Sequence, residues 1–353
     1  MKLNGYLMSK DVVVAEIKDN NLMISNEPLL PLYLKNYTDF EGWLKSRAID
    51  KHRTNSRLLK KALRLTTADD IDVVLKVNGA TITDTYWFKK ADSNLNYDDI
   101  KFKENMFDKL ALYGDPDSFN NDYSNTPELT NIGSFEKCWK LIDGEWWLYK
   151  QGNDLEIFSE LFICELGKAL GFPMAHYEKD GKFIKSLDFT KGATVNFELA
   201  SGIVGEDEDY NVNFTKLKKI SEECAKEYVA MIFVDTLCFN MDRHTRNYGV
   251  LRDVNTGEVL GLAPNFDNNI SLISRGYPKN IERKNDKLIE LFVEFLKNDT
   301  HALQCFVNLK YPKIDKELIG NSLDKVQVEI DRDFICSFIL NANEQITGRI
   351  HNN

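Results

Sequence analysis

Short runs of aromatic and branched residues mark a predicted β-hairpin in the middle of the chain. The runs are Lys137–Ile142 and Glu145–Lys150, and only Asp143-Gly144 separates them. A two-residue Asp-Gly connection between such runs is typical of a tight hairpin turn. The pattern therefore predicts two antiparallel strands joined at this turn.

The hairpin is followed by a change to helical spacing. We predict a helix from about Asp154, taken as its N-cap, to Leu170. Gly171 then fits a C-terminal cap, and Pro173 prevents continuation. The apolar positions that recur at helical spacing are Ile157, Phe158, Leu161, Phe162, Leu166 and Leu170.

The C-terminal half is predicted to be mainly helical, with one further hairpin. Lys216–Phe239 reads as one long helix, and because its second half is apolar nearly all round, it should lie deep in a helical lobe. Tyr248–Arg252 and Glu258–Leu262 are strand-like and are joined by a turn that contains glycine. Further helices follow from Asn285.

The N-terminal third carries no recognisable chemistry. A helix is predicted from about Asp39 to Arg64, a strand at Asp72–Leu75, and a helix around Tyr97 to Leu112. The polar stretch that follows is rich in Pro, Asp, Asn and Ser, which is typical of a linker. The predicted division is an N-terminal region at 1–112, a linker at 113–128, a small lobe at 129–200 and a helical lobe at 201–353.

Composition and charge narrow the classes of protein. With 43% hydrophobic and 28% charged residues over 353 positions, the chain is globular rather than disordered. A net charge of −10 argues against broad nucleic-acid binding. Six scattered cysteines without a CxxC pair, and no apolar run of about 18 residues, indicate a cytoplasmic protein without a membrane span.

One segment is strongly basic, although the chain as a whole is acidic. Eight basic residues and a single acidic one lie between Lys45 and Arg64. This segment is interpreted either as the solvated face of a helix, which is the commoner case, or as a docking patch for an acidic partner or nucleic acid.

The stretch Asn240–Gly249 carries the strongest chemical signal. Asp242 and Asn247 are five residues apart, the separation used in kinase catalytic loops, where the Asp meets the substrate hydroxyl and the Asn holds magnesium. Asp267 follows Asn247 by twenty residues, after the second hairpin, and with Asn247 supplies the hard oxygen ligands that Mg²⁺ prefers. Each residue alone could serve turn chemistry, but the ordered set favours phosphoryl transfer.

ATP also needs a cation for its phosphates. Lys150 ends an apolar strand, where a lysine is costly unless it is paired. Glu160 on the next helix is a candidate partner, Glu156 is its competitor, and a lysine that simply reaches solvent is the alternative. The loop before the first hairpin, with Gly133, is the candidate cover for the phosphates.

Other polar residues of the Asn240–Gly249 stretch allow two readings. His244 could be a metal ligand, a base or a residue that orders the loop, and the lack of a second nearby histidine favours ordering; we keep it among the ATP-binding candidates. Arg243 and Arg246 could contact phosphate or brace the loop, and the sequence leaves both open.

From about Leu129 onward, the chain resembles the HipA-like family of bacterial serine/threonine kinases, the toxin components of toxin–antitoxin pairs. Asp242-Arg-His-Thr-Arg-Asn247 matches the family motif Asp-Arg-His-x-x-Asn, and Ala263-Pro-Asn-Phe-Asp267 matches its Ala-Pro-x-(Tyr/Phe)-Asp motif. The stretch from Ser159-Glu160 onward resembles the family's helix after the ATP lysine, which favours Glu160 as the partner of Lys150.

The resemblance implies an α+β, protein-kinase-like fold, with a β-rich N-lobe and a helical C-lobe, to which this chain adds an N-terminal α/β region. It also implies ATP and Mg²⁺ as cofactors, a protein substrate with a Ser or Thr acceptor, and an antitoxin partner, with DNA involved only indirectly. Autophosphorylation is implied in the loop before the first hairpin, where alignment gives Thr130, with Ser134 as the alternative.

Rival functions remain at this stage. A degenerate kinase fold could bind nucleotide or a partner without chemistry, and the segment from Lys45 to Arg64 could serve a DNA-associated regulator. Small-molecule and lipid kinases use similar loops, so the catalytic parts alone do not separate them from a protein kinase.

Overall fold

In this computed structural model, the residues that the structure describes are 2–49, 53, 56–62, 69–103, 108–113, 126–133, 136–274 and 286–351. The chain forms two compact units. Unit 1 comprises Met1–Gln151, Phe183–Glu198 and Leu251–Leu260, and unit 2 comprises Gly152–Lys182, Leu199–Val250 and Gly261–Asn353. The domain boundaries given from the sequence stay a prediction, and most of the linker (114–125) lies outside the described residues.

The described strands and helices follow in chain order. The strands are β1 Asn4–Ser9, β2 Val12–Lys18, β3 Asn21–Ile24, β4 Tyr86–Lys90, β5 Lys137–Ile142, β6 Glu145–Gln151, β7 Tyr177–Asp180, β8 Phe183–Leu187, β9 Val195–Leu199, β10 Gly249–Asp253 and β11 Val259–Leu262. The helices are α1 Leu32–Tyr37, α2 Phe40–Ser46, α3 Ser56–Ala62, α4 Asp70–Leu75, α5 Tyr97–Ile100, α6 Asp108–Tyr113, α7 Asp154–Ala169, α8 Ser201–Val204, α9 Tyr210–Ile220, α10 Glu222–Cys238, α11 Asp286–Asn298, α12 Thr300–Val307, α13 Lys316–Asp324 and α14 Arg332–His351. A 3-10 helix spans Pro127–Thr130.

Unit 1 begins with an antiparallel sheet in the order β3-β2-β1-β4. Consecutive residues of β1 are buried, with Leu7 in one apolar core and Met8 in another, so both faces of the sheet are covered there. Leu7 and Val14 from the sheet share one apolar core with Phe40 and Trp43 of α2. The Asp39 side chain accepts from the backbone N–H of Gly42 and so fixes the start of α2.

Three predictions for the N-terminal region were wrong. The helix predicted around Tyr97 to Leu112 is divided, because α5 ends at Ile100, Lys101 is extended and α6 begins at Asp108. The helix predicted over 39–64 is divided, because α2 ends at Ser46 and α3 begins at Ser56. Asp72–Leu75 is part of α4 rather than a strand. Asp69 caps this helix through the N–H of Ile71, and the branched residues Val73 and Val74 are fully buried, so capping and packing override their β preference.

Two arginines of the basic segment of residues 45–64 are buried, so the segment is not a uniformly solvated face, and a docking role for it stays a prediction. Arg47 is buried and forms an ion pair with Asp84 at 2.8 Å. Arg53 is buried with Glu128, its ion-pair partner at 3.3 Å. A buried charge needs such a partner, so these two arginines stabilise unit 1 from inside. Lys51 and Arg64 of the segment lie outside the described residues.

The first predicted hairpin is confirmed. β5 and β6 pair antiparallel, with Ile142 opposite Glu145, and β8 pairs with the other edge of β6. Asp143 and Gly144 both have positive φ, 52° and 84°, as a type I′ turn requires. The second predicted hairpin is also confirmed, as β10 and β11 in a sheet of order β11-β10-β9.

Unit 2 contains α7 to α14, of which α10 is buried on nearly every side. The prediction of one long helix over 216–239 was wrong. Ser221 is extended, with φ −158° and ψ 131°, and separates α9 from α10. Its side chain accepts from the N–H of Cys224, so a capping residue begins a new helix where apolar periodicity alone indicated continuation.

The predicted helix after the first hairpin is confirmed as α7. Its N-cap is Asn153 rather than Asp154. Asn153 and Glu156 form a capping box, in which each side chain accepts from the other's backbone N–H. Among the described residues, none of the helices combines the length and the apolar character needed to cross a membrane.

Candidate active site

The buried helix α10 leads directly into the loop that contains Asp242. Phe239 ends the helix in a left-handed conformation, with φ 52°. The next residue, Asn240, is buried; its side chain donates to Asp235 Oδ1 at 2.9 Å and accepts from the N–H of Asp242 at 3.0 Å. The start of the loop is therefore fixed to the last turns of a rigid helix.

Hydrogen bonds within the loop orient Asn247 toward Asp242. The Asn247 side-chain amide donates to the carbonyl oxygen of Asp242 at 2.9 Å. Its Oδ1 is therefore the atom that a cation would use. His244 Nδ1 accepts from the N–H of Arg246 at 3.2 Å, and Arg246 forms an ion pair with Glu206 at 2.8 Å. Both contacts help to order the loop.

Arg243 joins this loop to the Ala263–Asp267 motif. It forms a buried ion pair with Asp235 at 2.8 Å. Its remaining N–H groups bond acceptors from both segments: the carbonyl oxygens of Asn247 (2.5 Å) and Phe266 (2.7 Å) and the side chains of Asn265 (2.7 Å) and Asn268 (2.8 Å). The planar guanidinium suits such a multiple role.

The electrostatics of Arg243 favour its charged state. Burial lowers the pKa of Arg243, but the charge and hydrogen bonds of Asp235 outweigh burial, and the pKa lies above its ordinary value. Arg243 is therefore a permanent cation at the centre of unit 2. Of the two roles left open by the sequence, the bracing role fits this burial.

The backbone of Asp267 is held in an unusual conformation, and its carboxylate is the group with useful chemistry. It adopts φ 61°, a conformation uncommon outside glycine and concentrated at functional sites. Its N–H donates to the Tyr177 hydroxyl at 3.1 Å. Burial, followed by the charges of Glu160 and Asp267, raises the pKa of Tyr177 well above its ordinary value, so it stays a neutral hydroxyl.

Glu160 belongs to the same cluster in unit 2. It is buried on α7, and its Oε1 accepts from the N–H of Asn268 at 3.1 Å. Glu156, its competitor in the sequence, is instead used in the capping box of α7. The position of Glu160 therefore agrees with its choice over Glu156, while its ion pair with Lys150 stays a prediction.

Unit 1 carries the residues predicted to meet phosphates. Lys150 on β6 is buried, and the residue directly opposite on β5 is Lys137, which is also buried. Gly133 has φ 115°, a value that side-chain-bearing residues rarely adopt. The Lys137 side chain lies beside Gly133 and contacts the Ile132 carbonyl. This part of unit 1 therefore presents two cations and a glycine-containing loop together.

The two autophosphorylation candidates differ in what the structure describes. Thr130 ends the 3-10 helix and is buried, with its hydroxyl donating to the Ala80 carbonyl at 2.7 Å. Its phosphorylation would require this segment to open. Ser134 lies outside the described residues.

Several supporting residues were missed from the sequence. Asp235 carries one signal, since a carboxylate on an otherwise apolar helix needs a cationic partner. Lys137 was considered only as the first residue of a strand, although its place opposite Lys150 follows from the hairpin register. Tyr177 and Asn268 carried no signal, because their contacts join segments far apart in sequence.

The donor set fits a hard divalent cation. Asp242, Asn247 and Asp267 offer carboxylate and amide oxygens, which are the ligands that Mg²⁺ takes alongside phosphate oxygens and water. The set contains no thiolate, and His244 uses Nδ1 within the loop. The roles predicted from the sequence, with Asn247 and Asp267 as Mg²⁺ ligands and Asp242 facing an acceptor hydroxyl, agree with this donor chemistry and stay a prediction.

No model of a known protein family matches this sequence, and no curated protein does. Several solved structures are similar to this chain, among them two from bacteria. The Helicobacter pylori proinflammatory kinase CtkA is 20% identical over 61% of this chain and 93% of its own, with a TM-score of 0.50. HipA of Shewanella oneidensis MR-1, solved in a complex with HipB and operator DNA, is 12% identical over 99% of this chain and 97% of its own, with a TM-score of 0.56. The chain therefore has the predicted α+β, protein-kinase-like fold, and it is the fold of HipA-like kinases over nearly its whole length.

Proposed function

We propose that this protein is an ATP- and Mg²⁺-dependent serine/threonine protein kinase of the HipA-like type, acting in the cytoplasm. The observation that carries the proposal is the contact set of Arg243. One buried guanidinium fixes the backbone around Asn247 and around Phe266, the residue before Asp267. Two motifs that a kinase needs are thereby held to one another in unit 2.

Each residue then has a defined role. Asp242 orients the acceptor hydroxyl and receives its proton, and Lys150, with Lys137 opposite it, neutralises phosphate charge. Asn247 and Asp267 hold Mg²⁺, which when bound would neutralise charge on the β- and γ-phosphates. The protein's contribution is mostly positioning and preorganised charge, so the rigidity of the Arg243 contacts matters directly.

The test is phosphate transfer by the purified full chain. The chain is incubated with γ-labelled ATP, Mg²⁺ and a mixture of protein substrates, and transfer is compared for wild type, Asp242→Asn and Asp267→Asn. Each variant is expected to lose at least about 10²–10⁴-fold in rate, the usual contribution of a positioned acid or base. The matched control is Asp253→Asn, because Asp253 only accepts backbone N–H bonds in the β10–β11 turn.

Three outcomes count against the proposal. Transfer that survives in Asp242→Asn at the wild-type rate contradicts the assigned roles. ATP binding without transfer by the wild type supports a degenerate binding module instead. Transfer to a sugar, aminoglycoside or lipid but to no protein would make the chain a small-molecule kinase.

Autophosphorylation is part of the proposal, with Thr130 as the first candidate and Ser134 as the second. Because the Thr130 hydroxyl is buried and already donates to Ala80, modification requires the 3-10 helix to open, and the added charge would prevent its return. Peptide mass spectrometry of the wild type, Thr130→Ala and Asp242→Asn locates the phosphate. If Thr130→Ala still carries the phosphate of the wild type at its single site, Thr130 is excluded as the autophosphorylated residue.

We also propose a toxin role with an antitoxin partner. The support is the likeness to Shewanella HipA, which was solved with HipB and operator DNA and which spans 99% of this chain. Expression of the wild type is expected to slow growth of a bacterial host, while Asp242→Asn is harmless. Equal growth inhibition by both would separate toxicity from phosphotransfer.

A further inference from the structure

A second cluster of chemically active side chains lies in unit 2, outside the candidate active site. It consists of Glu222, the first residue of α10, and of His301 and Cys305 on α12. One ligand atom from each residue lies within 4.8 Å of the others. Carboxylate, imidazole and thiol are the three ligand types that Zn²⁺ takes in proteins.

The two ligands on α12 are held by a rigid support. His301 and Cys305 are four residues apart, so both point from one face of the helix. Asp299 caps α12 by accepting from the N–H groups of His301 and Ala302, at 2.9 and 3.0 Å. The Phe214 ring lies 5.8 Å from the His301 ring and limits its rotation.

This cluster differs from an ordinary surface ion pair because one of its three side chains is buried. His301 and Glu222 already contact each other, and both are partly exposed. The added element is Cys305, whose side chain is buried against them. His176 and Glu178 form a similar exposed pair at 3.0 Å. No cysteine joins that pair in the part of the chain that the structure describes, so it provides a natural comparison.

We propose that Glu222, His301 and Cys305 bind one Zn²⁺, which links α10 to α12, with water in the fourth position. Ligand atoms around tetrahedral zinc lie about 3.5 Å apart, so an approach of about 1 Å closes the site. Small rotations of the partly exposed Glu222 and His301 side chains provide that movement. This proposal does not depend on phosphotransfer.

The binding step has a defined proton balance. Burial, then the Glu222 charge, raises the pKa of the Cys305 thiol, and Lys226 and Lys218 oppose the rise, so the thiol is neutral before zinc binds. On binding, the S–H bond breaks, an S–Zn bond forms and the proton passes to the buffer. His301 gives up its contact with Glu222, the proton on Nε2 is transferred through solvent to Nδ1, and the freed Nε2 lone pair binds Zn²⁺. One thiolate and one carboxylate then balance the charge of Zn²⁺.

Zinc binding by the full chain tests the proposal. Titration against a chromophoric chelator, with excess Mg²⁺ present, is expected to show one tight equivalent in the wild type. Cys305→Ser and His301→Gln should each weaken it at least about 100-fold, since losing a direct ligand should cost no less than losing an outer one. The matched controls Cys336→Ser and His176→Gln, at a partly exposed cysteine and in the comparison pair, should bind as the wild type does.

Absorption spectroscopy with Co²⁺ and thermal unfolding distinguish thiolate ligation from adventitious binding. Co²⁺ in place of Zn²⁺ should give a near-ultraviolet thiolate-to-metal absorption that Cys305→Ser lacks and Cys336→Ser retains. Zinc should raise the melting temperature of the wild type and leave that of Cys305→Ser unchanged, although the two melt alike without metal. Absence of a tight equivalent in the wild type, or wild-type affinity in Cys305→Ser, overturns the proposal.

Discussion

Two buried arginines of this chain make similar contacts in different surroundings. In unit 1, Arg252 forms an ion pair with Glu198 and bonds the Tyr86 hydroxyl and three backbone carbonyls, those of Pro28, Leu30 and Gly257. In unit 2, Arg243 forms an ion pair with Asp235 and bonds carbonyls and amide side chains of two loops. Burial and ion pairing alone therefore do not identify a functional site.

The difference lies in the segments that each arginine holds. Arg252 joins the start of the chain to strands β9 and β10. Its hydrogen bonds and its ion pair serve this structural connection. The partners of Arg243 include the backbone next to Asp267 and that of Asn247 itself, and the functional atoms of these residues are not the ones that bond the arginine. Arg243 therefore bonds the backbone at the proposed site, rather than the side chains to which reactive roles are assigned.

The largest expected effect comes from Arg243→Lys. Lysine keeps the charge beside Asp235 but cannot reach acceptors in two loops with a planar fork. The rate constant for phosphotransfer, kcat, is expected to fall at least about 100-fold, because a displacement of about 1 Å has that cost, while the KM for ATP changes much less. Steady-state kinetics with γ-labelled ATP measures the two constants separately.

Arg252→Lys is the matched control for this experiment. It makes the same chemical change in the other buried cluster, so it should lower stability and leave kcat unchanged. If Arg243→Lys keeps the wild-type kcat, or if Arg252→Lys loses as much activity, the distinction between the two arginines fails.

The next largest effect is on stability and comes from Arg252→Ala. Removing one partner leaves the Glu198 carboxylate buried without its cation, which costs about 3–5 kcal/mol of unfolding free energy. Urea unfolding followed by circular dichroism measures the loss. The double variant Arg252→Met with Glu198→Leu removes both charges and should recover part of the loss, while the buried Leu32 N–H and Tyr86 hydroxyl that now lack Glu198 keep the rest. Equal losses in the single and double variants would show that the charge is not the cause.

The side chains proposed for catalysis were chosen from the sequence, whereas the residues that support them were mostly missed. Asp242, Asn247 and Asp267 are placed by spacing and by one hairpin, both of which are local features. Arg243 is adjacent to Asp242, but its role depends on Asn265 and Asn268, which are more than twenty residues away. Contacts of that range follow from packing, and no local pattern encodes them.

The fold shows the same division between local and long-range causes. The turn at Asp143-Gly144 was predicted because two residues determine it. The break between α9 and α10 was missed because apolar spacing continues through Ser221, and the α4 segment was misread because Val73 and Val74 favour strands when considered alone. In both cases a capping side chain decided the local structure.

A smaller effect is expected from Tyr177→Phe. The substitution removes the hydroxyl that accepts from the part-buried Asp267 N–H, at a cost of about 0.5–1.5 kcal/mol for the lost hydrogen bond. Because Asp267 keeps its carboxylate, activity should fall less than in Asp267→Asn. Urea unfolding and kinase assays on the same preparation give both numbers. A loss of activity as complete as that of Asp267→Asn would mean that Tyr177 itself contacts substrate.

The smallest effect concerns Glu227, a half-buried carboxylate of α10 that has no arginine partner among the described contacts. Its Oε2 accepts from the Leu262 N–H at 2.6 Å, at the start of the segment that leads to Asp267. Burial raises the pKa of Glu227, the Leu262 N–H opposes the rise and the Glu223 charge adds to it, with a net rise above the ordinary value. A raised folded-state pKa stabilises the protein below the ordinary pKa, and this contribution is lost as pH rises through the folded value.

Glu227→Gln keeps the acceptor for Leu262 and removes the titration, so it isolates this contribution. The wild type should gain stability relative to Glu227→Gln as pH is lowered from about 7 to about 4, where the carboxyl becomes protonated. Urea unfolding of both proteins across this range measures the difference. If the wild type instead loses stability relative to the variant on acidification, the carboxylate of Glu227 is stabilised by its surroundings. In that case a single backbone N–H would suffice for a half-buried carboxylate of α10. The need of Asp235 for Arg243 would then have to be explained by the loops that the arginine holds rather than by charge.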